Sequence, residues 1–284
     1  MASKQIFLIG APRSGTTFLG EVLSKHSKIA YWPEPKYIWK YRRPLAKDDA
    51  RPAGDATDGI KKYISKKFIQ FAEKNNKIIF LEKTPSNCFR IPFINEIFPE
   101  SKFIHVIRDG MESTFSAYRL WHSKANSGAL MRRLSSMEIP AVDLPFYLGD
   151  FVNKVLIRQF RPSTAPLWGP LFPGIKQFRK ENGVLLTCAE QWRQCVNTAS
   201  KDLSLICPER VYSFSYEDLK KDMKQQTKKI LEFSGLAYEN EMIAFADSFS
   251  SSYKQAQYSQ HENADWDKIK EFLKEDLMRL GYGQ

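Results

Sequence analysis

The chain has 284 residues, 43% hydrophobic and 13% aromatic, which suits one large α/β domain with a sizeable core. Its 43 basic against 32 acidic residues leave a formal charge of +11, which directs attention to anionic partners: nucleotides, phosphate or sulfate esters, nucleic acid or anionic lipid. No apolar stretch approaches the roughly 20 residues that span a bilayer, and Cys88, Cys188, Cys195 and Cys207 form neither a CxxC pair nor a metal-binding spacing, so the chain reads as reduced and intracellular.

The first element is IFLIG, residues 6–10, an apolar run stopped by glycine. It reads as a buried strand and is too short for a signal peptide. After Gly15, Phe18, Leu19, Val22 and Leu23 recur at helical spacing, so the unit is strand, loop, helix. The loop, GAPRSGTT, has the frame of a phosphate loop: Gly10, four residues, Gly15, then two hydroxyl residues. Such a loop presents backbone N–H groups and the positive end of a helix to an anion, and its glycines let the backbone turn and approach closely. The lysine that reaches β/γ-phosphates in an ATP or GTP site is missing: Thr16 stands there, while Arg13 lies inside the loop. No apolar strand ends in a clear magnesium-binding aspartate, since Asp109 follows Arg108. The loop therefore suits a ligand with fewer terminal phosphates and no metal.

Farther on, IIFLEK (78–83) and FIHVIRDG (103–110) read as buried strands, with a short helix between them carrying Phe93, Ile94, Ile97 and Phe98 and ended by Pro99. RVYSFSYEDL (210–219) is a strand running into a helix, with Ser215 and Asp218 at capping-box spacing. Alternation of strand and helix predicts a parallel central sheet flanked by helices, in a single domain over residues 1–284. Residues 40–59 read as a loop, and residues 123–182, rich in aromatics and prolines, as an insertion shaping a pocket. The last twenty residues, from Trp266, predict one amphipathic helix, and Trp192 with Cys188 and Cys195 predicts a helix whose apolar residues are core.

Three motifs, PRSGTT (12–17), EKTP (82–85) and VIRDGMESTFSAY (106–118), each at a strand end, together resemble the sulfotransferases that use 3′-phosphoadenosine 5′-phosphosulfate (PAPS). The resemblance covers residues 5–34, 78–121 and 185–234. It implies a P-loop NTPase-like sulfotransferase fold, with PAPS as donor, adenosine 3′,5′-bisphosphate (PAP) as product and no metal. It also implies that Arg13, Ser14, Gly15, Thr16 and Thr17 hold the 5′-phosphosulfate, that Arg108 and Ser116, eight residues apart, bind the 3′-phosphate, and that Tyr216 contacts adenine. A guanidinium fork suits that phosphate, although an ion pair of Arg108 with Asp109 or a nearby glutamate is the alternative. The segment 247–254 falls where further donor contacts are expected.

Small-molecule sulfotransferases of this kind usually place a histidine base two residues after the lysine; here Lys83 and Thr84 are followed by Pro85. Among the histidines, His26, His105 and His261 read as structural or surface residues, and His122 alone stays as an outside candidate. A branch resembling tyrosylprotein sulfotransferases has an arginine in the loop and a glutamate base after the first helix. Glu34, in YWPEPKYIW (31–39), lies 21 residues after Arg13 and matches that spacing. Its neighbouring prolines would hold an extended segment, and Tyr31, Trp32, Tyr37 and Trp39 are expected to line an acceptor pocket and raise the pKa of Glu34 by desolvation. Lys83, with a salt bridge to Glu82 as its alternative, would stabilise the transferring group with Arg13.

The expected activity is sulfuryl transfer to the hydroxyl of a small-molecule, lipid or glycan acceptor, in the cytoplasm and without nucleic acid as partner. A P-loop small-molecule kinase using ATP is the alternative, and a non-catalytic anion-binding protein is a third reading.

Overall fold

The structure, a computed structural model, describes residues 4–122, 167–242, 244–245 and 264–283. Its centre is a five-stranded parallel sheet. The strands are β1 (Lys4–Ile9), β2 (Ile29–Pro33), β3 (Ile79–Lys83), β4 (Lys102–Ile107) and β5 (Val211–Ser215), in the spatial order β2-β3-β1-β4-β5. Side chains alternate across the sheet, as a strand requires. Phe7 and Ile9 of β1, Phe80 of β3 and Phe103 of β4 enter one apolar layer. Ile6, Leu8, Ile79, Leu81, Ile104 and Val106 enter the other. Both faces are covered, which is why these strands read as near-continuous apolar runs.

The helices are α1 (Thr16–Leu23), the one-turn α2 (Lys36–Trp39), α3 (Asp58–Lys74), α4 (Ile91–Ile97), α5 (Gly110–His122), α6 (Ile175–Leu203), α7 (Tyr216–Lys221), α8 (Met223–Ser234) and α9 (Ala264–Arg279). Four aromatic rings, Phe68 of α3 with Phe7, Phe80 and Trp39, form the centre of one layer at centroid separations of 4.8–6.5 Å. Helix α9 buries Ile269, Leu273 and Leu277, a single stripe at four-residue spacing. Each such side chain contributes roughly 1.5–3 kcal/mol by leaving water.

Several expectations meet the structure with adjustments. Strand β4 stops at Ile107, because Asp109 turns the chain into α5: its Oδ1 accepts the Glu112 N–H at 2.8 Å. Residues 40–57 are loop and turn, including one 3₁₀ turn at Ala53–Asp55. Of the expected insertion, residues 123–166 lie outside the described residues, and from Ile175 the chain is already helix α6, broken only at Gly183 (φ 78°). Residues 167–174 are tied to the rest of the chain by hydrogen bonds. The Leu171 N–H is bonded to Asp49 Oδ2 at 2.9 Å, and Gln191 Nε2 donates to the Trp168 and Pro170 carbonyls. Trp192 is core as expected, 1% exposed.

The β5–α7 junction has the expected capping box. Ser215 Oγ accepts the Asp218 N–H at 3.0 Å, and the Asp218 carboxylate accepts from the Ser215 N–H. Ser215→Ala should lower stability by about 1 kcal/mol, read as a lower urea midpoint with an unchanged slope.

Candidate active site

The strand order decides which side chains meet. At the carboxyl edge of the sheet, Glu34 follows β2, Lys83 ends β3, the 10–17 loop follows β1, Arg108 follows β4 and Tyr216 follows β5. Neighbouring strands lie about 4.8 Å apart, so residues distant in sequence form one row at the edge where parallel α/β sheets place their ligands.

On one side of the row is the loop. Gly15 has φ 81°, and a Cβ there would sit 2.5 Å from the Tyr216 ring, so glycine is required twice over. At Gly10 a Cβ would lie 2.8 Å from the Val106 carbonyl. Arg13 has φ 70°, a conformation that costs a side-chain-bearing residue of order 1–3 kcal/mol and is held by its neighbours. Arg13 Nε donates to Ser116 Oγ at 2.9 Å, and Arg108 Nη1 donates to the Arg13 carbonyl at 2.8 Å. The Arg108 guanidinium lies 4.4 Å from the centre of the Tyr216 ring. Thus Arg13, Gly15, Arg108, Ser116 and Tyr216 touch in one chain of contacts. Ser14 is fully buried, and its hydroxyl has no hydrogen-bond partner among the described residues. Thr16 is buried and Thr17 exposed at the start of α1, where the first-turn N–H groups have no intrahelical partners.

Arg108 also pairs with Glu112, Nη2 to Oε2 at 2.5 Å. The ion pair weighed as an alternative therefore exists, and it coexists with the contact to the loop. Trp192 Nε1 donates to the Arg108 carbonyl at 3.0 Å and its ring fills the space beside Gly110, which fixes the strand end.

On the other side of the row stand Glu34 and Lys83. Lys83 is 3% exposed and its Nζ lies 2.9 Å from Glu34 Oε1; it does not pair with Glu82. Successive strand residues face opposite sides, and Glu82 points the other way. There its carboxylate accepts from Trp39 Nε1 at 3.0 Å, from Thr84 Oγ1 at 2.5 Å and from Asn87 Nδ2. Burial pushes the Glu82 carboxyl up to about 7, although the Thr84 and Trp39 bonds and the nearby Arg90 oppose this. Sequence reasoning missed this network; a glutamate inside an apolar strand run was its only signal.

Glu34 itself has φ 54°, and its N–H donates to the Lys83 carbonyl at 2.8 Å. Its second oxygen, Oε2, lies 3.2 Å from Lys36 Nζ. Here the expectation of a raised pKa is overturned. Burial does push the carboxyl up, but Lys83 and then Lys36 outweigh it and hold Glu34 down at about 2. The expected aromatic pocket is also corrected. Trp32 stacks on Phe71 at 4.3 Å and Trp39 is 1% exposed, so both belong to the core. Tyr31 packs over Gly20, and Tyr37 is half-buried.

The histidines are placed elsewhere. His105 lies inside β4, and burial drives its pKa down to about 4. His26 is buried, with Nε2 3.0 Å from the Ala237 carbonyl. His261, the His122 side chain and residues 247–254 lie outside the described residues. Among the described residues, no group of three or more His, Cys, Asp or Glu side chains is arranged to hold a metal ion, and no helix is long and apolar enough to cross a membrane.

A parallel sheet with a glycine loop between its central strand and a helix, and cations at the neighbouring strand ends, defines a P-loop-like α/β fold. The model of the sulfotransferase family matches residues 5–144, and the chain belongs to that family. Over 130 residues it is 25% identical to the nodulation protein NoeE of Sinorhizobium fredii, a match covering 40% of this chain and 31% of that one. Over 123 residues it is 27% identical to protein-tyrosine sulfotransferase 1 of Danio rerio, covering 39% and 34%. The matches thus span about a third of those curated relatives. The fold is similar to the crystal structure of sulfotransferase STF9 from Mycobacterium avium, at TM-score 0.55 and 13% identity, covering 98% of this chain and 77% of that one.

Proposed function

We propose that the protein moves a sulfuryl group from PAPS to the hydroxyl of a small-molecule, lipid or glycan acceptor, with Glu34 as base. The carrying observation is the row of strand ends: Glu34, Lys83, the Arg13 loop, Arg108 and Tyr216, in spatial order. In this reading the loop N–H groups, the orphaned Ser14 hydroxyl, Thr16 and Thr17 take the 5′-phosphosulfate. Arg108 and Ser116 take the 3′-phosphate, and adenine lies against Tyr216. The acceptor oxygen attacks sulfur as its proton passes to Glu34, and the bond from sulfur to the bridging oxygen breaks. The electron pair of that bond leaves on the phosphate of PAP, where Lys83 and Arg13 offset the charge. Two lysines hold the base ionised in the free protein; engagement of Lys83 by the donor would strengthen Glu34 as a base by relaxing its hold on the carboxylate. A cytoplasmic location is part of the proposal and rests on the four cysteines, all of which are free.

The kinase alternative is disfavoured by Thr16 standing where the phosphate-loop lysine would be. Calorimetry separates the readings. PAP should bind without a divalent ion and more tightly than Mg-ATP; tight Mg-ATP binding without PAP binding would refute the sulfotransferase proposal. A purely electrostatic anion binder would instead lose affinity steeply with salt and show no turnover of PAPS.

A further inference from the structure

The two lysines on Glu34 are not equivalent. Lys83 approaches Oε1 from β3 and is 3% exposed; Lys36 approaches Oε2 from α2, and its side chain is 48% exposed. Each carboxylate oxygen has its own cation. Lys36 is also bound to the base through the main chain. Its N–H donates to the Glu34 carbonyl at 2.7 Å, closing a tight turn over Pro35 (φ −72°, ψ 63°). Lys36 is thus a near neighbour of Glu34 in the chain, whereas Lys83 belongs to a different strand.

In the proposed reaction Lys83 has a second partner, the sulfuryl group and its leaving oxygen. As charge develops there, the Lys83 ammonium is drawn to the donor and away from Oε1. A carboxylate in the turn between β2 and α2 would then be free to rotate, and a base must stay within hydrogen-bond reach of the proton it takes. We propose that Lys36 is the positioning residue of the base: it holds Oε2 in place while Lys83 serves the donor, and leaves Oε1 to accept the acceptor proton. This inference rests on reading Glu34 as the base.

Among the described residues, the charged and titratable groups that act on or feel Glu34 are Lys83 from β3, Lys36 from α2 and Tyr31 from β2. The phenol of Tyr31 is kept neutral by burial and then by Glu21 and Glu34, so it adds no charge beside the carboxylate. Loss of Lys36 should consequently be felt by Glu34 directly.

The test is the titration of the Glu34 carboxyl carbon by NMR, its signal assigned by loss in Glu34→Gln. It is run on the full chain, free and saturated with PAP, in wild type, Lys36→Met and Lys36→Arg. In Lys36→Met the Glu34 midpoint should rise by about one pH unit, a tenfold change in proton affinity, both free and with PAP bound. Lys36→Arg should restore the wild-type midpoint, because the guanidinium supplies the same charge. A Glu34 midpoint in Lys36→Met equal to wild type in both states would overturn the inference. Failure of wild type to bind PAP would instead remove the donor assignment, and the free-protein titration would still decide the Lys36–Glu34 coupling. Because the Lys36 side chain is half-exposed, an unchanged melting temperature in Lys36→Met serves as the control for folding.

Discussion

Glu34→Gln is expected to lower kcat with PAPS by about 10²–10⁴-fold. Glutamine keeps the shape and volume of the side chain but cannot take a proton at neutral pH. The backbone that sets the position, with φ 54° and an N–H bonded to the Lys83 carbonyl, does not depend on the carboxylate. Binding should respond in the opposite sense. Removing the charge leaves Lys83 and Lys36 without their shared counterion, so an anionic donor should bind at least as tightly as before. The expected pattern is thus a large loss in kcat with PAP affinity maintained or increased. Near-normal kcat in Glu34→Gln would remove Glu34 as base. The pH dependence follows the same logic. Two cations hold Glu34 below its ordinary range, near 2, so the free protein keeps it ionised throughout the neutral range. In turnover, any acid limb should lie above that value, because donor binding diverts Lys83.

How far the sequence could lead is clearest at particular residues. Strand β1 and its loop were legible because an apolar run ends at Gly10 and helical spacing begins after Gly15. Strand β2 was not read as a strand: IAYWP is five residues long, ends in proline and lies at the sheet edge, where a missing N–H is tolerated. Helix α3 also escaped notice. Its apolar stripe of Ile64, Phe68 and Ala72 is embedded among five lysines between residues 61 and 74, which dilute the periodic signal. The pairing of Glu34 with Lys83 depends on β2–β3 register, in which Pro33 lies opposite Lys83, a non-local fact. The pKa of Glu34 was misjudged in direction for a related reason. The neighbouring tryptophans turned inward to Phe68 and Phe71, and the groups left beside the carboxylate were lysines. The presence of Lys36 two positions after Glu34 was visible in the letters; that its Nζ returns to the carboxylate required the turn.

Lys83→Met carries the second large expected effect, about 10²–10³-fold in kcat, the range for losing one preorganised group that meets charge developing in the transition state. The argument turns on when Lys83 is needed. In the free protein it is bound to Glu34 at 2.9 Å, and the register Leu8–Lys83 places it beside the carboxyl end of β1, where the phosphate loop begins. PAP keeps the leaving phosphate oxygen but lacks the sulfuryl group, so loss of Lys83 should weaken PAP binding by less than it lowers turnover. The loss should therefore appear in kcat, with PAP binding changed far less, as expected of an interaction made mainly in the transition state. Methionine fills the buried space of the lysine stem, and Lys36 remains to balance Glu34, so the fold should survive; an unchanged melting temperature checks this. Glu34 should in turn titrate at a higher pH in this variant, because the stronger of its two cations is gone. An equal loss in PAP affinity and in turnover would mean that Lys83 builds the donor pocket and takes no separate part in the transfer. Together with Glu34→Gln, the variant also orders the two roles. If base and cation act in the same step, the double variant should lose much less than the product of the two single losses, since the Glu34–Lys83 pair couples them directly.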